Sequence, residues 1–480
     1  MRSPRLTPPL VALVATAVML TLGTYSVVRY RWWLVAGYVV VAAVLVVLAR
    51  RWPDDREFGE DGAGGRVGTG DGPGDRHPGR HPGPHLARRA GAGVLVLVAV
   101  VHLAVPAFTY VAPGPAWGVR AAAAAAALLA AGALLLGRDR TVVALAALGS
   151  ATTSVVVILG DPAPRIDVWV ILQQAADGML RGEPMYSATW VGSPGISDAF
   201  AYLPFTAVLT APGRWLAGDV RWALALLVLL CGLALAVLGR FRVPAVTAAA
   251  LLLLAPGGPT LVEQAWTEPT VLVGLLLAAV LLARNRAWWA VVPLAVALAS
   301  KQHVVLLLPL LACWPRFGWR RTVVAAGGAG ALMLPWFLAT PADFVHDTVL
   351  TMLRLPPLRF ADTVYILVLT ETGVQLPFWV VGLAILAVVA VAARALLRRP
   401  VGLGGLLLWS ATVLMVANLV NKQAFYNQFW LVAALVLAAV AVTGAGSSRP
   451  RLTTSAVRRR PAPPAARPVD GSAPTSSSSG

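Results

Sequence analysis

Residues 141–159 read Thr-Val-Val-Ala-Leu-Ala-Ala-Leu-Gly-Ser-Ala-Thr-Thr-Ser-Val-Val-Val-Ile-Leu, an uncharged run with Arg138 and Arg140 on one side and Gly160 and Asp161 on the other. A run of this length matches a helix crossing the ~30 Å hydrocarbon core of a bilayer. Inside lipid a lone segment satisfies its backbone N–H and C=O groups only as a helix. Arginines gather at cytoplasmic ends, so the Arg138/Arg140 turn faces inward and Gly160 lies outside.

Working outward, comparable runs cover residues 8–28, 33–49, 93–111 and 117–136 before it. After it come 220–238, 243–255, 269–283, 287–299, 304–313, 322–338, 378–393, 402–419 and 429–442. Basic clusters at Arg240/Arg242, Arg284/Arg286, Arg316/Arg320/Arg321 and Arg394/Arg398/Arg399 alternate with them in phase. The expectation is an all-α polytopic membrane protein of about 14 transmembrane helices with both termini inside. The apolar stretch 203–211 is too short to join the count, and a span there would invert every later cluster, so it reads as a re-entrant segment or helix tip.

Composition agrees. Of 480 residues, 58% are hydrophobic and only 12% charged, with a mean hydropathy of +0.74, against a charged fraction of about 25% in soluble domains. The net charge of +18 comes from arginines at span ends, in one loop and in one tail, which describes topology rather than a polyanion-binding surface. A nucleic-acid partner and a cytosolic enzyme core are both excluded. Cys231 and Cys313 lie in or beside apolar runs without metal-type spacing and read as packing residues.

The chain then divides into an N-terminal transmembrane hairpin (1–49), a Gly/Pro/Asp-rich loop (50–92), three further transmembrane helices (93–159), an extracytoplasmic loop (160–219), a C-terminal bundle (220–444) and a basic tail (445–480). The loop and the tail lack the apolar residues to bury a core and are expected to be disordered and cytoplasmic. His77, His81 and His85 in the loop admit a metal tract or a low-complexity accident, and the Pro and Gly between them favour the second. His102, within a span, reads as a buried, hydrogen-bonded residue.

The extracytoplasmic loop holds the most polar ordered sequence. In 167–186, Val168, Ile171, Leu172, Ala175 and Met179 recur at helical spacing, making one face of an interfacial helix. Asp167 begins that helix, where a carboxylate caps backbone amides or serves as a base. Lys301 and Lys422 are the only lysines among 39 basic residues, each followed by Gln at an outer membrane edge; interfacial anchoring and anion binding both suit them. Trp169, Tyr186, Trp190, Tyr202, Trp266, Tyr426 and Trp430 fall on the same side, mostly as belt residues.

The stretch 167–186, followed by Phe200-Ala-Tyr-Leu-Pro-Phe-Thr-Ala-Val-Leu-Thr-Ala-Pro212, resembles the first outer loop of the GT-C superfamily of membrane glycosyltransferases. It is most similar to glycosyltransferase family 87, the polyprenyl-phosphate-mannose-dependent mannosyltransferases. Where that family shows aromatic-Tyr-Pro-Pro, this chain has Tyr202-Leu203-Pro204. Glu263-Gln-Ala-Trp-Thr-Glu268 and Ser300-Lys-Gln-His303 resemble the superfamily's second half, and 421–430 does so faintly. The first five spans precede the usual start of the family core.

The resemblance implies a GT-C-like bundle in the bacterial plasma membrane with its active site outside. It implies a polyprenyl-phosphate-linked sugar donor and a glycolipid or glycan acceptor, with no cofactor and no metal. Asp167 is then the catalytic base, while Lys301, His303, Lys422, Asp161, Glu268 and Tyr202 bind substrate; Asp161 and Glu268 are also fallback bases. On this reading Lys301→Met weakens donor binding with folding nearly unchanged. The rival reading is a multi-span transporter or lipid flippase, which usually leaves ionisable residues mid-span and an inverted repeat; the sequence displays its polar residues on one face instead.

Overall fold

The computed structural model describes residues 7–27, 29–52, 84–399 and 401–443, and among these the fold is entirely helical. Two hairpin helices, α1 (Pro8–Ser26) and α2 (Trp32–Arg51), precede α3 (Pro84–Ala104), α4 (Pro113–Leu135) and α5 (Asp139–Gly160). The loop between α5 and α8 folds as α6 (Asp167–Arg181) and α7 (Pro204–Ala217). Next come α8 (Arg221–Leu238), α9 (Val243–Leu253), α10 (Gly258–Glu263), α11 (Glu268–Ala283), α12 (Val291–Leu298), α13 (Leu308–Cys313) and α14 (Gly318–Ala339). Three short helices, α15 (Pro341–Val345), α16 (Thr351–Arg354) and α17 (Val364–Thr372), cross one end before α18 (Phe378–Arg398), α19 (Leu403–Val420) and α20 (Tyr426–Thr443) complete the bundle.

Ten of these, α1–α5, α8, α14 and α18–α20, are long and apolar enough to cross a membrane. The expected count of fourteen is corrected accordingly. The other four segments are α9 with 11 residues, α11 with 16, α12 with 8, and 302–313, which is a 3₁₀ stretch Gln302–Leu307 running into α13. Proline and glycine cut them short. Pro256 and Gly257 (φ +79°) end the segment after α9, Pro269 opens α11, and Pro309 opens α13. Such breaks survive at membrane depth only where protein encloses the freed backbone groups. Here α9 is enclosed by α3, α5, α8 and α20, and Ala245–Leu253 is buried throughout.

Helices α14 and α18 are the periphery, with 17% of their apolar windows buried, against 83% for α19 and 78% for α20. The N-terminal spans are not an appendage: α1 packs on α20, α2 on α19, and α3 and α5 on α9. The described residues all belong to one compact unit. Small residues allow the closest approaches; a Cβ on Gly149 of α5 would meet the Ala126 Cβ of α4 at 2.4 Å.

Contacts sort the loops into two ends. At the arginine-rich end Arg88 pairs with Asp139 at 2.5 Å and Trp314 Nε1 donates to the Val401 carbonyl at 2.7 Å. At the other end the Phe200 amide donates to Asp347 at 2.7 Å and the Tyr426 hydroxyl donates to the Pro256 carbonyl. Both ends of α7 lie at this end, the one the sequence reading places outside, since the Phe205 amide donates to the Ala299 carbonyl and Arg214 binds Asp177 of α6. Residues 203–211 are therefore no span.

Three expectations change in detail. The loop set at 50–92 is narrower, because α2 runs to Arg51 and α3 starts at Pro84, a proline at the N-terminus of good helix formers; residues 53–83, with His77 and His81, and the tail 445–480 lie outside the described residues. Of the aromatics assigned to a belt, Tyr186, Trp190, Trp266, Tyr426 and Trp430 are buried. Among the described residues the exposed tryptophans are Trp32, Trp33, Trp117, Trp215 and Trp379 at the end that holds α6, and Trp288, Trp289 and Trp319 at the arginine-rich end. His102 is buried and its Nε2 pairs with the Leu254 carbonyl at 3.0 Å, as its sequence reading has it.

Sidedness has a direct test. Val191 in the outer loop is 79% exposed and Leu136 in the Arg138 turn 72% exposed. In intact cells a membrane-impermeant thiol reagent should label Val191→Cys and spare Leu136→Cys. Labelling of Leu136→Cys alone would invert the topology.

Candidate functional site

Helix α6 is amphipathic and lies across the outer end, its apolar face of Ile171, Leu172, Ala175 and Ala176 buried. Its first residue is Asp167, whose Oδ1 accepts from the Val168 amide at 2.8 Å and whose Oδ2 accepts from the Ile196 amide at 3.4 Å. Both lone-pair sets therefore face backbone, and the carboxylate is half-buried beneath the 193–197 turn. Gly195 makes that cover possible: a Cβ there would meet Asp167 Oδ2 at 2.5 Å. A 1 Å misplacement of a catalytic group costs up to about 100-fold in rate. If Asp167 is the base, Gly195→Ala should slow turnover by roughly 10- to 100-fold with little change in thermal stability; turnover at the parent rate would show that the position of Asp167 does not matter.

The shortest ion pair at this end joins α11 to the start of the 3₁₀ stretch after α12. Lys301 Nζ lies 2.5 Å from Glu268 Oε1, with Glu268 0% and Lys301 8% exposed. The ammonium sits 5.5 Å from the centre of the Tyr202 ring, a cation–π distance. Burial raises the Tyr202 phenol well above its ordinary range, and the carboxylates of Asp167 and Glu268 raise it further. Tyr202 thus stands within the field of both acids. His303 feels the charges of Lys301 and Glu268, and Glu268 Oε2 is itself buried without a hydrogen-bond partner. His303 Nε2, Thr267 Oγ1 and Gln264 Nε2 are buried without a hydrogen-bond partner. Buried polar atoms are almost always paired, and these three depart from that rule.

A second buried acid lies at the same end, against the loop between α3 and α4. Glu263 is 0% exposed and its Oε1 accepts from Thr109 Oγ1 at 2.6 Å and from the Tyr110 and Val111 amides at 2.8 and 3.0 Å. Burial raises the Tyr110 phenol; Arg165 opposes that, while Glu263, Asp161 and Asp167 add to it. Asp161 therefore belongs with Glu263 and Tyr110, apart from Lys301.

Of the seven residues singled out in the sequence, the fold gathers Asp167, Tyr202, Glu268, Lys301 and His303. Asp161 stands to one side. Lys422 is not part of the group: its Nζ donates to the Leu353 carbonyl at 2.8 Å and its carbonyl accepts from the Leu358 amide, so it fastens the loop before α17.

Two arrangements escaped sequence reasoning. Arg221, 0% exposed, binds Asp219 at 2.7 Å and reaches the carbonyls of Ile158 and Glu263, while Trp169 Nε1 donates to the same Asp219. That lattice locks α6 to the tops of α5 and α8. The signal was an arginine opening an apolar run at an outer edge, against the charge rule. Asp347, 1% exposed, accepts from the Phe200 amide and pairs with His346 Nδ1 at 3.0 Å, and burial raises its carboxyl above the usual range.

Two cavities open elsewhere. One of about 240 Å³ lies among α3, α4 and α10 beside His102 and Arg120; the other, of about 660 Å³, is at the inner end. Neither is lined by Asp167 or Lys301. No family model matches this chain, and no curated protein matches it significantly.

Proposed function

We propose that the protein is an integral membrane glycosyltransferase that moves a sugar, mannose by its resemblance, from a polyprenyl-phosphate donor to a hydroxyl of a glycolipid or cell-envelope glycan at the outer face. The observation that carries this reading is the convergence of Asp167, Tyr202, Glu268, Lys301 and His303, from three parts of the chain, on one group with unpaired buried donors. In the reaction the acceptor oxygen attacks the sugar C1, its proton passes to Asp167, and the C1–O bond to phosphate breaks, the bonding pair leaving with the polyprenyl phosphate. Lys301, with one ammonium hydrogen on Glu268, keeps donors for the departing phosphate, and His303 Nε2 adds one when protonated there. Their help grows as charge builds on the leaving oxygen. Glu268 holds Lys301 in place.

The test is the purified protein in lipid vesicles with a panel of radiolabelled polyprenyl-phosphate sugars and extracted envelope acceptors. Transfer from one donor that Asp167→Asn abolishes supports the reading; no transfer from any donor by a well-folded preparation removes it. A transporter or flippase remains the second reading, favoured by a specific feature: the buried Lys301–Glu268 pair stands among short, proline-broken helices, as coupling sites in transporters do. Passage of a fluorescent polyprenyl phosphate across vesicles without sugar transfer would favour it.

A further inference from the structure

At the inner end, the cavity of about 660 Å³ between α2, α18 and α19 is lined by Arg50, Arg51, Arg394, Arg398 and Arg399. The first two end α2 and the others end α18, so residues nearly 350 positions apart meet at one hollow. Arginines placed only to orient helices point apart into water, because like charges repel. Here Arg399 reaches back to the Arg50 carbonyl at 3.3 Å, and none of the five has an acidic partner among the described residues. The floor is apolar, made by Ala395, Val401 and the buried Trp409, with Trp52 at the rim. Helix α18, which supplies one wall, is largely unburied by protein, so the hollow opens sideways toward the inner leaflet.

We infer that this cavity binds the phosphate headgroup of an anionic phospholipid of the inner leaflet. A phosphodiester supplies the missing negative charge, and guanidinium forks hold phosphate oxygens in bidentate pairs. The apolar floor takes the glycerol and upper acyl carbons, which a free inorganic anion would leave bare. Basic hollows between transmembrane helices on the cytoplasmic side bind lipid headgroups on the same physical grounds. Lipid held there bridges α2 to α18, a pair that make little other contact, and stiffens the loosely packed edge of the bundle.

The experiment compares thermal unfolding and co-purified lipid, by native mass spectrometry, for the full chain in nanodiscs of phosphatidylcholine alone, of phosphatidylcholine with phosphatidylglycerol, and of phosphatidylcholine with added inorganic phosphate. Phosphatidylglycerol should raise the unfolding temperature and remain bound, and phosphate should do neither. Arg394→Gln/Arg398→Gln should weaken lipid retention about tenfold, equivalent to about 1.4 kcal/mol, whereas Arg138→Gln/Arg140→Gln, which removes equal charge from the same face outside the cavity, should not. Arg394→Lys/Arg398→Lys keeps the charge that orients α18 and should still lose part of the retention. Equal loss in both glutamine variants would reduce the effect to surface charge and overturn the site. A full response to inorganic phosphate would make it a free-anion site, against the proposal. A lipid response that emerges only in Asp54→Asn/Asp55→Asn would give the cavity to the chain's own acidic residues and also overturn it.

Discussion

Lys301→Met should lower the stability of the folded protein by about 3–5 kcal/mol, the cost of leaving one member of a buried ion pair uncompensated. The sequence alone treats that lysine as an edge residue whose loss spares the fold. In the structure it is 8% exposed and faces a carboxylate with no exposed surface, so methionine would strand the Glu268 charge among apolar helices. The double variant Lys301→Met/Glu268→Gln removes both charges and should recover most of the loss, since a pair replaced together is often close to neutral. Denaturant unfolding in detergent micelles measures all three. A single variant as stable as the parent would mean that Glu268 carries no charge to strand. The double variant also separates roles: folded but inactive, it would assign the Lys301–Glu268 pair to the reaction as well as to structure.

Asp167→Asn should reduce sugar transfer by about 100- to 10,000-fold, the range for a lost general base. The side chain keeps its size, and its amide oxygen still accepts from the Val168 amide 2.8 Å away, so α6 should stay formed and donor binding should change far less than turnover. Near-parental turnover in a folded Asn variant would move the base elsewhere, with Asp161 first in line beside Tyr110.

What the sequence made legible follows from where the information lies. Long spans such as α5 and α18 are self-contained: an uninterrupted apolar run and a basic end suffice. The interfacial helix α6 was equally clear, because its apolar face repeats at helical spacing and Gly182, at φ +70°, stops it. The lengths of α9, α12 and α13 were not readable, since they depend on neighbours that shelter exposed backbone. The same limit hid the site's chemistry. Lys301 stood out by its scarcity, yet its partner Glu268 lies on a different helix, and nothing local distinguishes an anchored lysine from a paired one. Trp190 and Trp430 illustrate the converse: a tryptophan at an outer edge looks like a belt residue until tertiary packing closes over it. The cover that Gly195 gives Asp167 depends on a turn folding back by 28 positions.

The shortness of α11 has a consequence for what surrounds it. Its 16 residues rise about 24 Å at 1.5 Å per residue, less than the ~30 Å hydrocarbon thickness. Protein rather than lipid meets that shortfall, since every residue from Glu268 to Val280 except Leu277 is buried. The bilayer therefore has no need to thin beside this helix, and the thickness of the host membrane should matter little to the Lys301–Glu268 pair. Under the proposed function, a donor phosphate would have to come to Lys301 through protein, not sideways out of the lipid.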